Sequence, residues 1–171
     1  MSEGTLNVDC NVRSSSYFVA LTTAECVHCR AATRLIALVL PPAHQIIAAD
    51  ALDERPEESA EDTWEAAHCS ASLSYIGYLA ESVQRRLREI APAYRLAHGT
   101  ATQGSYWANH CERCDALLHD HDLHCEPEGA FLPTNPESAA AIRLIRMDEP
   151  FEAAAAGYAY EPPFLPSLRE T

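Results

Sequence analysis

The chain contains no lysine. Its twelve basic residues are all arginine, against twenty-five acidic residues, so the formal net charge is −13. A surface this acidic repels nucleic acid, because binding to phosphates depends on Lys and Arg side chains that displace counterions. The charge balance therefore argues against a general DNA- or RNA-binding protein. Its simplest role is to keep the protein in solution, and an acidic surface that contacts a basic partner is the alternative.

Glycine and long apolar runs are also scarce. Six glycines in 171 residues form no phosphate-binding loop and no dinucleotide fingerprint, and the sequence has neither G-x-S-x-G nor H-E-x-x-H. These absences favour a non-enzymatic role. No run approaches the ~18 apolar residues that span a membrane, and residues 1–9 do not begin a signal peptide. We therefore expect a cytoplasmic protein with no membrane partner.

Two short cysteine motifs are the strongest functional signal. Cys26 and Cys29 form one C-x-x-C step, and Cys111 and Cys114 form the other. In a reducing compartment such pairs indicate metal binding more often than disulfides. Four thiolates delivered in two steps predict a closed tetrahedral site for one structural zinc ion. Rubredoxin-type iron is the alternative metal, and redox use of C-x-x-C is less favoured because neither step begins a predicted helix.

Other cysteines and histidines lie near these motifs. Cys125, His110 and His124 are possible substitute ligands, whereas Cys10 and Cys69 are interpreted as thiols without a metal role.

Strand-forming residues flank both cysteine motifs, so each motif is predicted at the tip of a hairpin, as in a zinc knuckle. An amphipathic helix is predicted at about 79–90, where Leu79, Val83 and Leu87 recur at helical spacing. Asn135 and Pro136 predict the start of a short helix. The predicted strands are 17–21, 34–40, 73–78, 105–108, 116–118 and 142–146.

These elements predict an α+β fold: a mostly antiparallel sheet built on two zinc-knuckle hairpins, with one or two packed helices. We expect a single zinc-binding domain over residues 1–171. Within it, residues 1–16 are predicted to be a loose lead-in, residues 50–65 an exposed acidic loop, and residues 161–171 a frayed C-terminal tail.

A polar run at 119–124 contains the only candidate catalytic residues, His119 and His121. On a strand these two histidines share one face, so the run suggests a metal-dependent hydrolase or nuclease as an alternative function. A polar strand beside the cysteine hairpin explains the same residues without any function.

A basic cluster on the predicted helix, Arg85, Arg86 and Arg88, suggests a second alternative. Its simplest interpretation is a solvated helix face with local ion pairs. Nucleic-acid binding through these arginines would need aromatic side chains on which bases stack, and the candidates for stacking are Tyr75, Tyr78 and Trp107.

The segments 26–29, 105–116 and 128–131 together resemble a group of uncharacterised bacterial proteins that carry a split zinc-ribbon motif, and the resemblance covers roughly residues 17–133. It implies a metal site on the four motif cysteines and implies no activity. The glycine that often follows the second cysteine of a knuckle is absent from both motifs. Our leading hypothesis is a structural-zinc binding module that acts by contact with another macromolecule, with protein favoured over nucleic acid.

Overall fold

The computed structural model describes residues 10–47, 64–98 and 104–165. These residues form eleven strands, two α-helices and a π-helical turn at His121–Cys125. The strands are β1 Val12–Ser14, β2 Tyr17–Glu25, β3 Ala32–Leu40, β4 Gln45–Ile47, β5 Trp64–Ala66, β6 Ala71–Leu79, β7 Tyr94–His98, β8 Ser105–His110, β9 Leu117–Leu118, β10 Arg143–Met147 and β11 Phe151–Tyr160. The helices are α1 Glu81–Ile90 and α2 Pro136–Ala140.

The strands join in one open sheet. Its main path runs β10-β2-β3-β6-β11-β1-β4-β5, and β8 branches from β6 with β7 and β9 as its other partners. Every strand pairing among the described residues is antiparallel. The predicted α+β class with a mostly antiparallel sheet is therefore confirmed at this level.

Both faces of the central strands are buried. Val19 packs in a cluster with Leu87 of α1, whereas its neighbour Phe18 packs on the opposite face with Phe131 and Phe164. Successive side chains of a strand point to opposite faces, so a strand covered on both sides reads as a continuous apolar run rather than an alternating one. This explains the uninterrupted apolar run at residues 35–40 of β3.

The sheet divides at β6, and this division positions the cysteines. Residues 71–73 of β6 pair with β3, but farther along the strand Ile76 pairs with Trp107 of β8. The β2–β3 and β8–β9 hairpins are therefore both paired to β6, the first through β3 and the second through β8. Each ends in a turn that contains one C-x-x-C step.

Both helices lie close to the positions predicted from the sequence. The helix predicted at 79–90 begins instead at Glu81, because Leu79 still belongs to β6. The predicted start of α2 is confirmed, since the Asn135 side chain accepts a hydrogen bond from the Ser138 N–H at 2.9 Å and Pro136 occupies the first turn.

Three predicted loose segments contain ordered structure. Residues 12–14 of the lead-in form β1, where Val12 is buried. Residues 64 and 65 of the acidic loop belong to β5. Phe164, in the predicted tail, is buried and packs against Phe131 at 6.1 Å between ring centroids. The rest of those predictions, at 1–9, 50–63 and 166–171, lies outside the described residues.

The strand predicted over 119–124 is wrong. The chain forms a π-helical turn there. The run contains a single apolar residue, Leu123, so it lacks the apolar face that would hold a strand in the sheet, and local hydrogen bonds decide its shape. The Leu123 carbonyl accepts from the Phe131 N–H at 2.9 Å, and Gly129 lies so close to this turn that a Cβ atom would meet the Asp122 carbonyl at 2.4 Å.

Candidate metal centre

The first C-x-x-C step lies in a six-residue turn between β2 and β3. The Cys26 N–H donates to the Ala31 carbonyl at 2.8 Å, and the Arg30 N–H donates to the Cys26 carbonyl at 2.9 Å. The His28 N–H points at the Cys26 Sγ, 3.4 Å away. Closing the turn requires the left-handed backbone region at Arg30, where φ is 65°.

The second step repeats these contacts between β8 and β9. The Cys111 N–H donates to the Ala116 carbonyl at 2.9 Å, and the Asp115 N–H donates to the Cys111 carbonyl at 3.0 Å. The Arg113 N–H points at the Cys111 Sγ at 3.4 Å, and φ of Asp115 is 64°. Two unrelated segments therefore adopt the same turn, and in both a backbone N–H points at the sulfur of the first cysteine.

The two turns face each other and bring all four sulfurs together. The four Sγ atoms lie within 4.8 Å of one another. The Cys29–Cys111 and Cys26–Cys114 sulfur distances are 3.6 and 3.8 Å. Sulfurs bound 2.3 Å from a tetrahedral metal are separated by about 3.8 Å, whereas a disulfide requires about 2.05 Å. The spacing therefore fits a shared metal ion, and the cluster is a possible four-cysteine metal-binding site.

The pKa values of the two thiols in the second step shift in opposite directions. Hydrogen bonds from the backbone N–H groups of Cys114 and Arg113 lower the pKa of Cys111 to about 6. The Ala116 N–H also lowers the pKa of Cys114, but partial desolvation beside the turn and the three neighbouring thiols outweigh it and raise that pKa to about 12. A divalent cation between the sulfurs would favour the thiolate form of these cysteines, because metal binding displaces thiol protons.

Polar contacts along β3 hold the second hairpin against the first. The buried Asn109 side chain accepts from the Ile36 N–H and donates to the Ile36 carbonyl, both at 2.9 Å. It thus replaces a neighbouring strand at the point where the sheet divides. The Glu112 N–H donates to Thr33 Oγ1 at 3.0 Å, and its carboxylate lies 3.8 Å from the Arg34 guanidinium. Sequence reasoning missed the positioning roles of Asn109 and Glu112. The only signal in the sequence was the amide of Asn109 directly after Ala108, the last residue of a predicted strand.

The histidine run at 119–124 belongs to no group of potential metal ligands among the described residues. Among the described residues, the four motif cysteines are the one group of three or more Cys, His, Asp or Glu side chains that could share an ion. His119 is exposed, and His121 is exposed and lies near Asp122 and Glu126 at 3.8 and 3.5 Å. The structure therefore does not bring these histidines together with further ligands.

The possible substitute ligands have other environments. His110 is buried, where its Nδ1 lies 3.1 Å from the Ala108 carbonyl, and burial lowers its pKa. His124 stacks on Phe131, and burial lowers its pKa to about 4. Cys125 is exposed and outside the cysteine cluster. Both histidines pack as structural side chains.

A buried carboxylate close to the second hairpin was also missed. Asp120 is 3% exposed and accepts a hydrogen bond from the Tyr75 N–H at 2.7 Å, at a residue whose φ is 50°. Burial raises the pKa of Asp120 to about 6, although this hydrogen bond and His119 lower it. Like Asn109, it satisfies a backbone group where β6 loses its regular partner.

Replacing Asp120 by asparagine is expected to stabilise the protein at neutral pH. Because the folded carboxyl binds its proton more tightly than the unfolded one, Asp120 costs stability progressively as pH rises from about 4 to 6, and the cost persists above that. Asp120→Asn keeps an acceptor for Tyr75 and should raise the free energy of unfolding at pH 8 by up to about 3 kcal/mol. Urea denaturation at pH 4 and pH 8 measures this, with exposed Asp122→Asn as control. Equal effects at both pH values would contradict it.

The left-handed position of the first turn offers a smaller test. Arg30 forms an exposed ion pair with Glu25 at 3.1 Å, which contributes at most about 1 kcal/mol. Arg30→Gly and Arg30→Ala both remove it, but only glycine is free of the Cβ strain at φ 65°. We expect the glycine variant to be more stable than the alanine variant by about 1 kcal/mol in denaturant titrations. An equal or more stable alanine variant would contradict the turn geometry.

The basic cluster on α1 is largely paired. Arg86 lies 3.1 Å from both Glu89 and Glu149, and Arg85 lies 3.8 Å from Glu81. Arg88 donates to the Gln84 side chain at 3.4 Å. Of the aromatic candidates, Trp107 is buried. This arrangement matches the simpler interpretation, a helix face with local ion pairs.

No protein-family model matches the chain, and neither the curated proteins nor the solved structures contain a match to it. Of the resemblance to split zinc-ribbon proteins, the four converging cysteines are what the structure supports. Within the described segments, no helix is long and apolar enough to cross a membrane.

Proposed function

We propose that the four cysteines bind one zinc ion and that the two turns form a zinc-ribbon-like pair of hairpins. The observation that carries this proposal is the convergence of four sulfurs, with cross-turn distances of 3.6 and 3.8 Å. Zinc favours four thiolates in tetrahedral geometry. Iron of the rubredoxin type is the competing ion, and the test below distinguishes the two.

The role of this zinc is structural in our proposal. Four thiolates leave the ion no open position for water or substrate, so it would not act as a Lewis acid. It would tie the β2–β3 hairpin to the β8–β9 hairpin across the division of the sheet. Its binding free energy would then be part of the folding free energy.

We further propose that the protein is a cytoplasmic binding module that contacts another protein. The charge of −13 disfavours nucleic acid, and the arginines of α1 that would bind phosphates are engaged with Glu81, Glu89, Glu149 and Gln84. The histidine candidates for catalysis lack converging ligands among the described residues. A contact role is what these observations favour.

Cobalt substitution tests the metal proposal. Adding Co²⁺ to the reduced, metal-free protein should produce the intense visible absorption of tetrahedral cobalt thiolate, and one equivalent of Zn²⁺ should remove it. Cys29→Ser should weaken and alter the spectrum, whereas the exposed Cys125→Ser should not. A pale octahedral spectrum, or one unchanged in Cys29→Ser, would contradict the site. Iron and zinc in the purified protein are distinguished by elemental analysis.

The hydrolase alternative has its own assay. We expect no hydrolysis of a phosphodiester such as bis(p-nitrophenyl) phosphate with Mg²⁺, Mn²⁺ or Zn²⁺ added. Hydrolysis that disappears in both His119→Ala and His121→Ala would overturn the binding-module proposal. Likewise, gel-shift binding of nucleic acid that weakens steeply with salt and is lost in Arg86→Ala would favour the nucleic-acid alternative.

A further inference from the structure

The four sulfurs differ in their access to solvent. Cys26 and Cys111 are buried, at 0% and 1% exposure, whereas Cys29 is half-buried and Cys114 is exposed. Each short sulfur contact joins one accessible cysteine to one buried cysteine of the other turn: Cys114 to Cys26 at 3.8 Å, and Cys29 to Cys111 at 3.6 Å. Each turn thus supplies one buried cysteine residue and one that is more exposed to solvent.

The geometry points to a site of reversible oxidative modification. We infer that hydrogen peroxide converts the cluster into two disulfides between the hairpins, Cys26–Cys114 and Cys29–Cys111, with release of the metal ion. The inference rests on the proposed metal site, since the released ion is the zinc placed there above.

The reaction begins at an accessible sulfur. The Cys114 sulfur, which the metal ion would hold in its thiolate form, attacks peroxide, so that a sulfur–oxygen bond forms, the oxygen–oxygen bond breaks and hydroxide leaves, giving a sulfenic acid. The Cys26 thiolate then attacks the Cys114 sulfur and expels a second hydroxide as the disulfide forms. Cys29 and Cys111 react in the same way. In total four thiolates are oxidised, two peroxides and four protons become four waters, and one divalent ion is released.

The connectivity determines what happens to the fold. Closing the sulfur distances from 3.6 and 3.8 Å to about 2.05 Å requires small side-chain movements. Disulfides between the turns would keep the hairpins joined in place of the metal. Disulfides within each C-x-x-C step would instead leave the hairpins held only by contacts such as those of Asn109 with Ile36. The cross-turn connectivity therefore predicts an oxidised protein that stays folded.

Peptide mapping after peroxide treatment tests the inference on the full chain. Trypsin cuts after Arg113 and so separates Cys111 from Cys114, whereas Cys26 and Cys29 remain in one peptide. Cross-turn linkage therefore joins three peptides, and fragmentation between Cys26 and Cys29 assigns the partners. We expect that species, one zinc released per two disulfides in a chromogenic chelator assay, an unchanged far-ultraviolet CD spectrum, and recovery of zinc binding after a thiol reductant.

Several outcomes would overturn the inference. These are disulfides within each C-x-x-C step, zinc release with sulfinic or sulfonic acids and no disulfide, or retention of zinc while the exposed Cys125 is oxidised. Cys125→Ser is the matched control and should leave the mapping unchanged. If the reduced protein holds no metal, the proposed function fails, but the mapping of cross-turn disulfides in the metal-free protein still decides the inference.

Discussion

Replacing Cys111 by serine is expected to remove the metal and to destabilise the protein by more than about 5 kcal/mol, which is comparable to the total stability of many domains. Cys111 is almost fully buried, its sulfur lies 3.6 Å from that of Cys29, and it is approached by the Arg113 N–H. Structural zinc contributes on the order of 10 kcal/mol in small zinc domains. Urea denaturation followed by CD, with metal content measured in parallel, checks this result.

The control for that variant is Cys125→Ser. Cys125 is exposed and lies outside the cluster, so its loss should leave metal content and the unfolding midpoint unchanged. Chelation of the wild-type protein should reproduce the Cys111→Ser result. A Cys111→Ser protein that unfolds at the wild-type midpoint would show that the cluster does not hold the fold together.

Replacing Asn109 by leucine is expected to cost about 2–6 kcal/mol, because the Ile36 N–H and carbonyl would each be left buried without a partner. The Asn109 side chain is 2% exposed and makes both hydrogen bonds at 2.9 Å. Loss of these two hydrogen bonds should also make the second hairpin more mobile, so zinc should be released faster to a competing chelator. Both effects are measurable on the same purified variant.

The chain supplies a matched control for this substitution. The Asn11 side chain donates to the Ala155 carbonyl at 2.7 Å and accepts from the Ala155 N–H at 2.9 Å. This is the same pair of hydrogen bonds that Asn109 makes, but Asn11 is exposed. Water can replace both bonds there, so Asn11→Leu should cost about 1 kcal/mol or less and leave zinc release unchanged. Equal destabilisation by the two variants would contradict the proposal that the buried hydrogen bonds between Asn109 and Ile36 stabilise the fold where the sheet divides.

The cysteine turns and α1 could be predicted because their signals are local. Each C-x-x-C step is preceded by a strand that contains β-branched or aromatic residues, and Val83 and Leu87 recur at helical spacing on the buried face. The sheet class followed from the hairpins. Arg30 and Asp115 adopt the left-handed conformation despite the missing glycines, because the hydrogen bonds of each turn require it.

Strand β11 and the roles of Asn109 and Asp120 could not be predicted, because they depend on contacts between residues far apart in the sequence. β11 contains Ala153, Ala154 and Gly157, which have weak intrinsic preference for strands, but its pairing with β6 and β1 compensates for this. The close packing of Gly157 on Ser74, where a Cβ would lie 1.9 Å from the hydroxyl, shows why small residues occur there. The roles of Asn109 and Asp120 depend on partners 73 and 45 positions away, which no local pattern reveals.

Native mass spectrometry of the protein purified in reductant, before and after a chelator, tests the central claim most directly. We expect the mass of the chain plus one zinc ion, and after chelation a metal-free chain whose broader, higher charge states indicate unfolding. Cys111→Ser should resemble the chelated protein. A metal-free mass before chelation, or zinc removal that leaves the charge-state distribution unchanged, would contradict a structural zinc centre at these four cysteines.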